Sequence, residues 1–259
     1  MKQLAGHYDA IFKRKSFHFF RGVGNEKLTQ SELDGIEKAW NGFERLYPDI
    51  KTAIRIIPAA RVNAKRDAEY CVLIYSEKKE NYLMNAGYIG QQLDLWLVEH
   101  NIGSLWFGIG KPDVPAYDGM EYVIMIAVHK VSDDGKFRQD MFRAKRKPVE
   151  EIWSGDGLNV AGIARFAPSA CNTQPWYVEN KEGGLTVFRY KKPGKRGIMP
   201  IAAVSYYNRI DVGIFLCILE ICLQKNGFEY ERELFTDCGG NDELTKSAVY
   251  KLNTQEKKE

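Results

Sequence analysis

Apolar residues recur at helical spacing over residues 25–47, with Thr29 or Ser31 placed to cap the first turn, and a shorter amphipathic stretch covers residues 7–15. Two runs rich in branched and aromatic side chains, 53–57 and 70–75, are bounded by Pro58 and by the charged residues 77–80, and both predict strands. Residues 81–100 are apolar on nearly every face and predict a central helix, followed by a turn at 101–104, the stretch 105–110 and a strand over 122–128. The pattern then breaks. Residues 132–147 are polar and charged and close on Lys145-Arg146-Lys147-Pro148, a natural boundary. Beyond it the order repeats: a short helix over 158–166, a loop over 168–176, strands near 175–180 and 185–190, and a second long apolar helix containing 209–220. Gly87 and Gly213 stand near the start of the two long apolar runs. Two unrelated buried helices would also fit, but the repetition predicts two halves, 1–153 and 154–259, packed as one unit.

Composition narrows the partners. At 259 residues with 44% apolar content the chain can bury a large core, and a net charge of +3 is too mild to indicate nucleic acid or a membrane surface. A small molecule is therefore the expected partner. Residues 1–7 carry no apolar leader and no apolar run reaches the roughly 18 residues of a membrane span, so a cytoplasmic protein is expected. Cys71, Cys171, Cys217, Cys222 and Cys238 are odd in number and form no CxxC pair, which argues against a disulfide framework and against a metal site. Cys171 has no cation or resolving thiol beside it in sequence and reads as a small buried residue.

Two segments carry chemistry. Lys13-Arg14-Lys15-Ser16-Phe17-His18 places cations and a hydroxyl within one turn, which suits a phosphate, although a solvated charge run has the same look. Ala167-Pro168-Ser169-Ala170-Cys171-Asn172-Thr173-Gln174-Pro175-Trp176 combines a fixed backbone, small residues and amide side chains, which suits the edge of a flat polar ring. An ordinary helix-to-strand loop uses the same residue types.

The decamer resembles the APSxxNxQPW signature of the FMN-dependent nitroreductase family, and Arg14-Lys15-Ser16 resembles that family's amino-terminal phosphate motif. Residues 101–110 are similar to its glycine-containing loop after the central helix, and Lys145-Arg146-Lys147-Pro148-Val149-Glu150-Glu151-Ile152 to its carboxy-terminal basic segment. The order departs from the family, whose signature follows the amino-terminal motif closely. Here Ile57-Pro58-Ala59-Ala60-Arg61-Val62-Asn63 stands where it is expected, without the serine or the Gln-Pro-Trp ending. Family members are homodimers with flavin at the interface, so the resemblance is closest to single-chain members typified by a thermophilic bacterial protein.

The resemblance implies an α+β fold with central mixed or antiparallel sheets flanked by helices, in which two pseudo-repeated halves stand in for the homodimer. The first half would hold FMN through Arg14, Lys15, Ser16, His18, Trp106, Phe107, Gly108, Ile109, Lys145 and Lys147. The second half would add Pro168, Ser169, Asn172 and Gln174. Lys191-Lys192 and Lys195-Arg196 lack the setting of a second phosphate motif, so one FMN per chain and a monomer are expected. The activity implied is that of an NAD(P)H oxidoreductase: hydride from NADH or NADPH reaches flavin N5 and passes, in a ping-pong cycle, to a small acceptor such as a nitroaromatic or quinone. Gly108 or Ile109 would offer a backbone amide to N5. The alternative is a flavin-binding sensor or carrier without turnover. His18 replaces a family arginine or lysine and exchanges a permanent cation for a titratable one, or else packs between Phe17 and Phe19. Trp106 and Phe107 either border the ring or anchor the loop.

Overall fold

The computed structural model describes residues 4–63, 66–190, 197–237 and 244–254, so Lys191, Lys192, Lys195, Arg196 and Cys238 lie outside the described residues. The first half forms α1 (Tyr8–Lys13), α2 (Gln30–Gly42), β1 (Thr52–Pro58), β2 (Tyr70–Ser76), α3 (Tyr82–Glu99), β3 (Ile102–Phe107), β4 (Ala116–Tyr117) and β5 (Met120–Lys130). A connecting segment with α4 (Val149–Ile152) leads to β6 (Trp153–Ser154), α5 (Ala161–Ala164), β7 (Trp176–Lys181), β8 (Gly184–Tyr190), α6 (Ile201–Lys225), β9 (Phe228–Leu234) and β10 (Leu244–Thr254). Helix α2 begins at a reciprocal cap in which Thr29 Oγ1 accepts the Glu32 N–H and the Glu32 carboxylate accepts the Thr29 N–H. It stops at Gly42, short of residue 47, because the next residues dock on α3. There the Glu44 N–H donates to Gln92 Oε1 at 2.9 Å and the Tyr47 N–H to Asn85 Oδ1 at 3.1 Å.

The strands form two sheets, β1-β2-β5-β3 with β4 beside β5, and β6-β7-β8-β10-β9. Without β4 and β6 the two have one topology: a hairpin, a crossing through the long helix, an outer strand and a return between them. All pairings are antiparallel except β6 with β7. The expected turn at 101–104 and stretch at 105–110 are mostly β3, which pairs with β5. Every residue from Ile102 to Leu105 is buried, so the strand shows no polar alternation to read. Strands β9 and β10 also lay outside the expected elements, although the exposed Glu229, Glu231 and Glu233 of β9 keep a period of two.

Helices α3 and α6 cross in the middle of the molecule. A Cβ on Gly87 would overlap the carbonyl of Ile210, and one on Gly213 would overlap the carbonyl of Met84, so each glycine admits the other helix's backbone. Met84 and Ile210 each lie three residues before the glycine of their own helix, which makes the contact two-fold. Helix α6 is long and apolar enough to cross a bilayer, yet Ile210–Leu223 are all buried, which explains its apolar circumference as that of a core helix.

The two-fold relation continues along both helices. Asn85 and Asp211 stand two residues before the glycines, and each accepts a loop N–H: Tyr47 at 3.1 Å and Ala170 at 3.0 Å. Residues 43–51 and 167–175 are therefore counterparts, each running from a helix into the first strand of its hairpin. Residues 57–63, expected to hold that counterpart, form instead the end of β1 and a 3-10 turn at Ala59–Arg61. The expectation failed because the loops share a position and an anchor but no motif.

Candidate functional site

After α1 the chain straightens, with Arg14 at φ −55° and ψ 130°, and runs beside β3, where Ser16 pairs with Ser104 and the Phe17 N–H donates to the Ser104 carbonyl at 3.0 Å. This delivers Arg14 into the interior. Its guanidinium donates to Ser16 Oγ at 2.9 Å and lies 3.4 Å from Asp94 Oδ2. Asp94, fully buried on α3, also accepts the Ser104 hydroxyl and the Trp106 Nε1–H, the latter at 3.3 Å. One carboxylate thus ties the amino-terminal cations to the strand carrying Trp106 and Phe107.

The 167–175 loop arrives from the other half. The Ser169 hydroxyl accepts the Gln174 N–H at 2.9 Å and Asp211 accepts the Ala170 N–H, while Cys171, Asn172 and Gln174 take left-handed φ values of 50°, 55° and 48°. Behind the loop Trp176 stacks on Phe215 of α6 with centroids 4.8 Å apart. Tight internal bonding and a stacked base hold Pro168 and Ser169 forward.

Two adjoining cavities lie between the halves. The larger, about 530 Å³, is walled by Leu105, Trp106, Phe107, Gly108, Ile109 and Ile124 from the first half and by Met199, Tyr207, Asp211 and Ile214 from the second. The smaller, about 390 Å³, is walled by Arg14, Lys15, Arg138, Arg146, Phe166 and Asn172. Ser16, His18, Pro168, Ser169 and Cys171 belong to both. Burial pushes the Arg146 guanidinium down to about 10, with Arg14, Arg138 and Arg165 adding repulsion, and burial lowers Arg138 with Arg14 acting in the same sense. Arg146 Nε is buried without a partner among the described residues. A space gathering cations at a mutual cost, with a free N–H, is built for an anion.

Of the residues singled out from sequence, Arg14, Lys15, Ser16, His18, Trp106, Phe107, Gly108, Ile109, Pro168, Ser169 and Asn172 meet on these walls. Lys145, Lys147 and Gln174 do not. Lys145 is exposed and offers its carbonyl to Asn172 Nδ2 at 3.1 Å; Lys147 donates its backbone N–H to Gln174 Oε1 at 2.9 Å and its ammonium to the Gln174 carbonyl at 3.3 Å. Lys145 and Lys147 brace the loop from outside. Arg146, between the lysines, faces inward and donates to Asn172 Oδ1 at 2.9 Å, and Arg138 donates to the Arg14 carbonyl at 3.1 Å. Both arginines sit in the segment read as a polar boundary, which holds two 3-10 turns, Asp134–Lys136 and Met141–Arg143. Cys171 is exposed on the cavity wall, contrary to the buried role expected of it.

Asp211 was singled out by no motif. Its Oδ2 has no hydrogen-bond partner among the described residues, and burial pushes its carboxyl up to about 8, opposed by the Ala170 N–H and the Thr173 hydroxyl. An unfolded aspartate titrates near pH 4, so the folded chain holds an extra proton between about pH 4 and 8. Stability from this group is full at the acid end, falls by up to ~1.4 kcal/mol per unit as pH rises, and stays lost above about 8. Asp211→Asn keeps the acceptor and cannot ionise. Denaturant midpoints should therefore match the parent near pH 4 and exceed it at pH 8–9; a pH-independent difference would contradict the assignment.

A family model described as "Putative TM nitroreductase" matches residues 7–222. Among solved structures, a protein described as a putative nitroreductase from Thermotoga maritima is 18% identical, covers 96% of this chain and 94% of its own, and superposes with a TM-score of 0.59. At that identity the likeness shows the fold. A nitroreductase family protein from Clostridium difficile is 14% identical, with 58% of this chain and 96% of its own covered and a TM-score of 0.42. One from Desulfovibrio desulfuricans, described as a putative nitroreductase in complex with FMN, is 14% identical, with 58% and 95% covered and a TM-score of 0.38. No curated protein matches the chain.

Proposed function

Because the chain belongs to the family described as Putative TM nitroreductase, we propose that it binds one FMN between its halves and works as an NAD(P)H-dependent oxidoreductase on a small acceptor. The observation that carries this is the pair of adjoining cavities: an arginine-walled space fit for a phosphate shares Ser16, His18, Pro168, Ser169 and Cys171 with a larger one walled by Trp106 and Phe107. Arg14, Arg138 and Arg146 would hold the phosphate, and the partnerless Arg146 Nε supplies a donor for it. FMN, when bound, supplies the two-electron chemistry that couples a reduced nicotinamide to the acceptor.

The chain's own part is orientation. Tyr207, whose phenol burial raises and so keeps protonated, donates to the Gly108 carbonyl at 2.6 Å. That bond fixes the following peptide, whose N–H is Ile109's, beside the larger cavity that both residues line. A side chain at 108 would displace it, since a Cβ there would stand 2.7 Å from the Tyr207 ring.

One site per chain is supported by the fate of the two-fold counterpart. Asp94 and Glu220 each lie seven residues past the glycine of their helix, but Glu220 accepts from Tyr88 at 2.6 Å, Tyr230 at 3.0 Å, Tyr250 at 2.7 Å and Arg232 at 2.7 Å. Rings fill the space that stays open around Arg14. Absorbance of the purified or reconstituted protein should give a flavin-to-chain ratio near one, bleached rapidly by NADH or NADPH in stopped flow. A ratio near two would overturn the single site, and absence of uptake the whole reading. Tight flavin without reduction would leave a binding protein.

A further inference from the structure

The larger cavity holds charge that a flavin with its phosphate among Arg14, Arg138 and Arg146 does not answer. Arg66 and Lys111 line it and are absent from the walls of the smaller one. Arg66 is half-buried, with its guanidinium over the rings of Phe19 at 4.8 Å and Phe107 at 5.8 Å. The neighbouring carboxylates are engaged elsewhere: Asp67 with Arg21, Glu69 with His129, Asp113 with Arg61. Neither Arg66 nor the Lys111 ammonium has a carboxylate partner among the described residues. A guanidinium resting on aromatic faces is oriented and weakly hydrated before any ligand arrives, so pairing it with an anion costs little reorganisation.

Around these cations the wall is apolar. Ile109 and Ile198 are 57% and 87% exposed, and Met199, Ala203 and the ring of Tyr207 complete the face. Apolar side chains left open at a cavity wall gain by being covered.

We propose that the acceptor taken by the larger cavity is a planar, mainly apolar compound with a negatively charged substituent, such as an aromatic carboxylate or sulfonate, bound through Arg66 with Lys111 beside it. The inference rests on the function proposed above. The apolar wall covers the ring, and the Arg66 guanidinium takes the charge in a two-pronged bond.

The test uses the full chain loaded with FMN, once flavin uptake and reduction by NADH or NADPH have been measured. Failure there overturns the function itself. With reduction in hand, calorimetry compares benzenesulfonate with benzenesulfonamide, and turnover compares 4-nitrobenzoate with 4-nitrobenzamide. The anion of each pair is expected to be preferred on the order of tenfold, less at high salt, and Arg66→Gln should bring both ratios near one. Equal treatment of the pairs by the parent protein would overturn the inference. So would an Arg66→Gln variant that keeps the preference while raising the KM for NADPH but not for a phosphate-free dihydronicotinamide, which would assign Arg66 to the donor. A shifted flavin midpoint potential with the preference intact would overturn it as well.

Discussion

Gly213→Ala is expected to cost the fold about 3 kcal/mol or more, beyond the ~1–3 kcal/mol usual for an added core methyl. The added carbon would occupy the place of the Met84 carbonyl, a backbone atom of α3 that can retreat only if the helix does. Helix α3 carries Asp94 and α6 carries Asp211, so moving the helices apart would also loosen both anchors of the site. The matching control is Gly162→Ala on α5, where a Cβ meets nothing within 4 Å and the expected change is slight and favourable, about 0.4–1 kcal/mol. Urea midpoints of the two variants measure the contrast. An unchanged midpoint for Gly213→Ala would mean that the helix crossing is not close-packed.

Arg146→Ala should weaken FMN binding by about tenfold to a hundredfold, the range of one or two charge-assisted hydrogen bonds of ~1.5–3 kcal/mol. Arg138→Ala should act in the same direction. Riboflavin, which lacks the phosphate, separates the proposed contact from general damage to the fold: its affinity should hardly change in either variant. Lys145→Ala, altering an exposed side chain off both cavity walls, should stay within roughly twofold for both flavins. Fluorescence-quenching titrations at fixed ionic strength read all six comparisons, three variants with two flavins each. Equal losses for FMN and riboflavin would remove Arg146 from the phosphate.

The long helices and their glycines were legible because both runs are long and apolar on nearly every face. The 167–176 loop was legible because its order of residues is specific. The counterpart at 43–51 was not, since Tyr47 reaches Asn85 through a backbone N–H, and a main-chain donor leaves no trace in side-chain identity. Strand β3 was hidden by burial on both faces. At the site, Arg14 and Ser16 stood in a short motif, whereas Arg66 and Tyr207 of the larger cavity and Arg138 of the smaller come from separate stretches of chain and share no motif. Lys145, Lys147 and Gln174, expected to hold the flavin, stand off both cavity walls, and Lys147 bonds to Gln174 instead, because a place in a motif does not set the side to which a residue turns.

The segment between β5 and β6 sends Arg138 to the first half's Arg14 and Arg146 to the second half's Asn172 before entering the second sheet. Where two separate subunits must meet to form such a cleft, its occupancy depends on their concentration and they can trade partners with relatives. A covalent bridge of this length fixes the local concentration of one half around the other at roughly millimolar or above. The cleft should therefore survive dilution to single molecules, and a cell could hold several homologues of this chain without any of them forming mixed, half-functional assemblies.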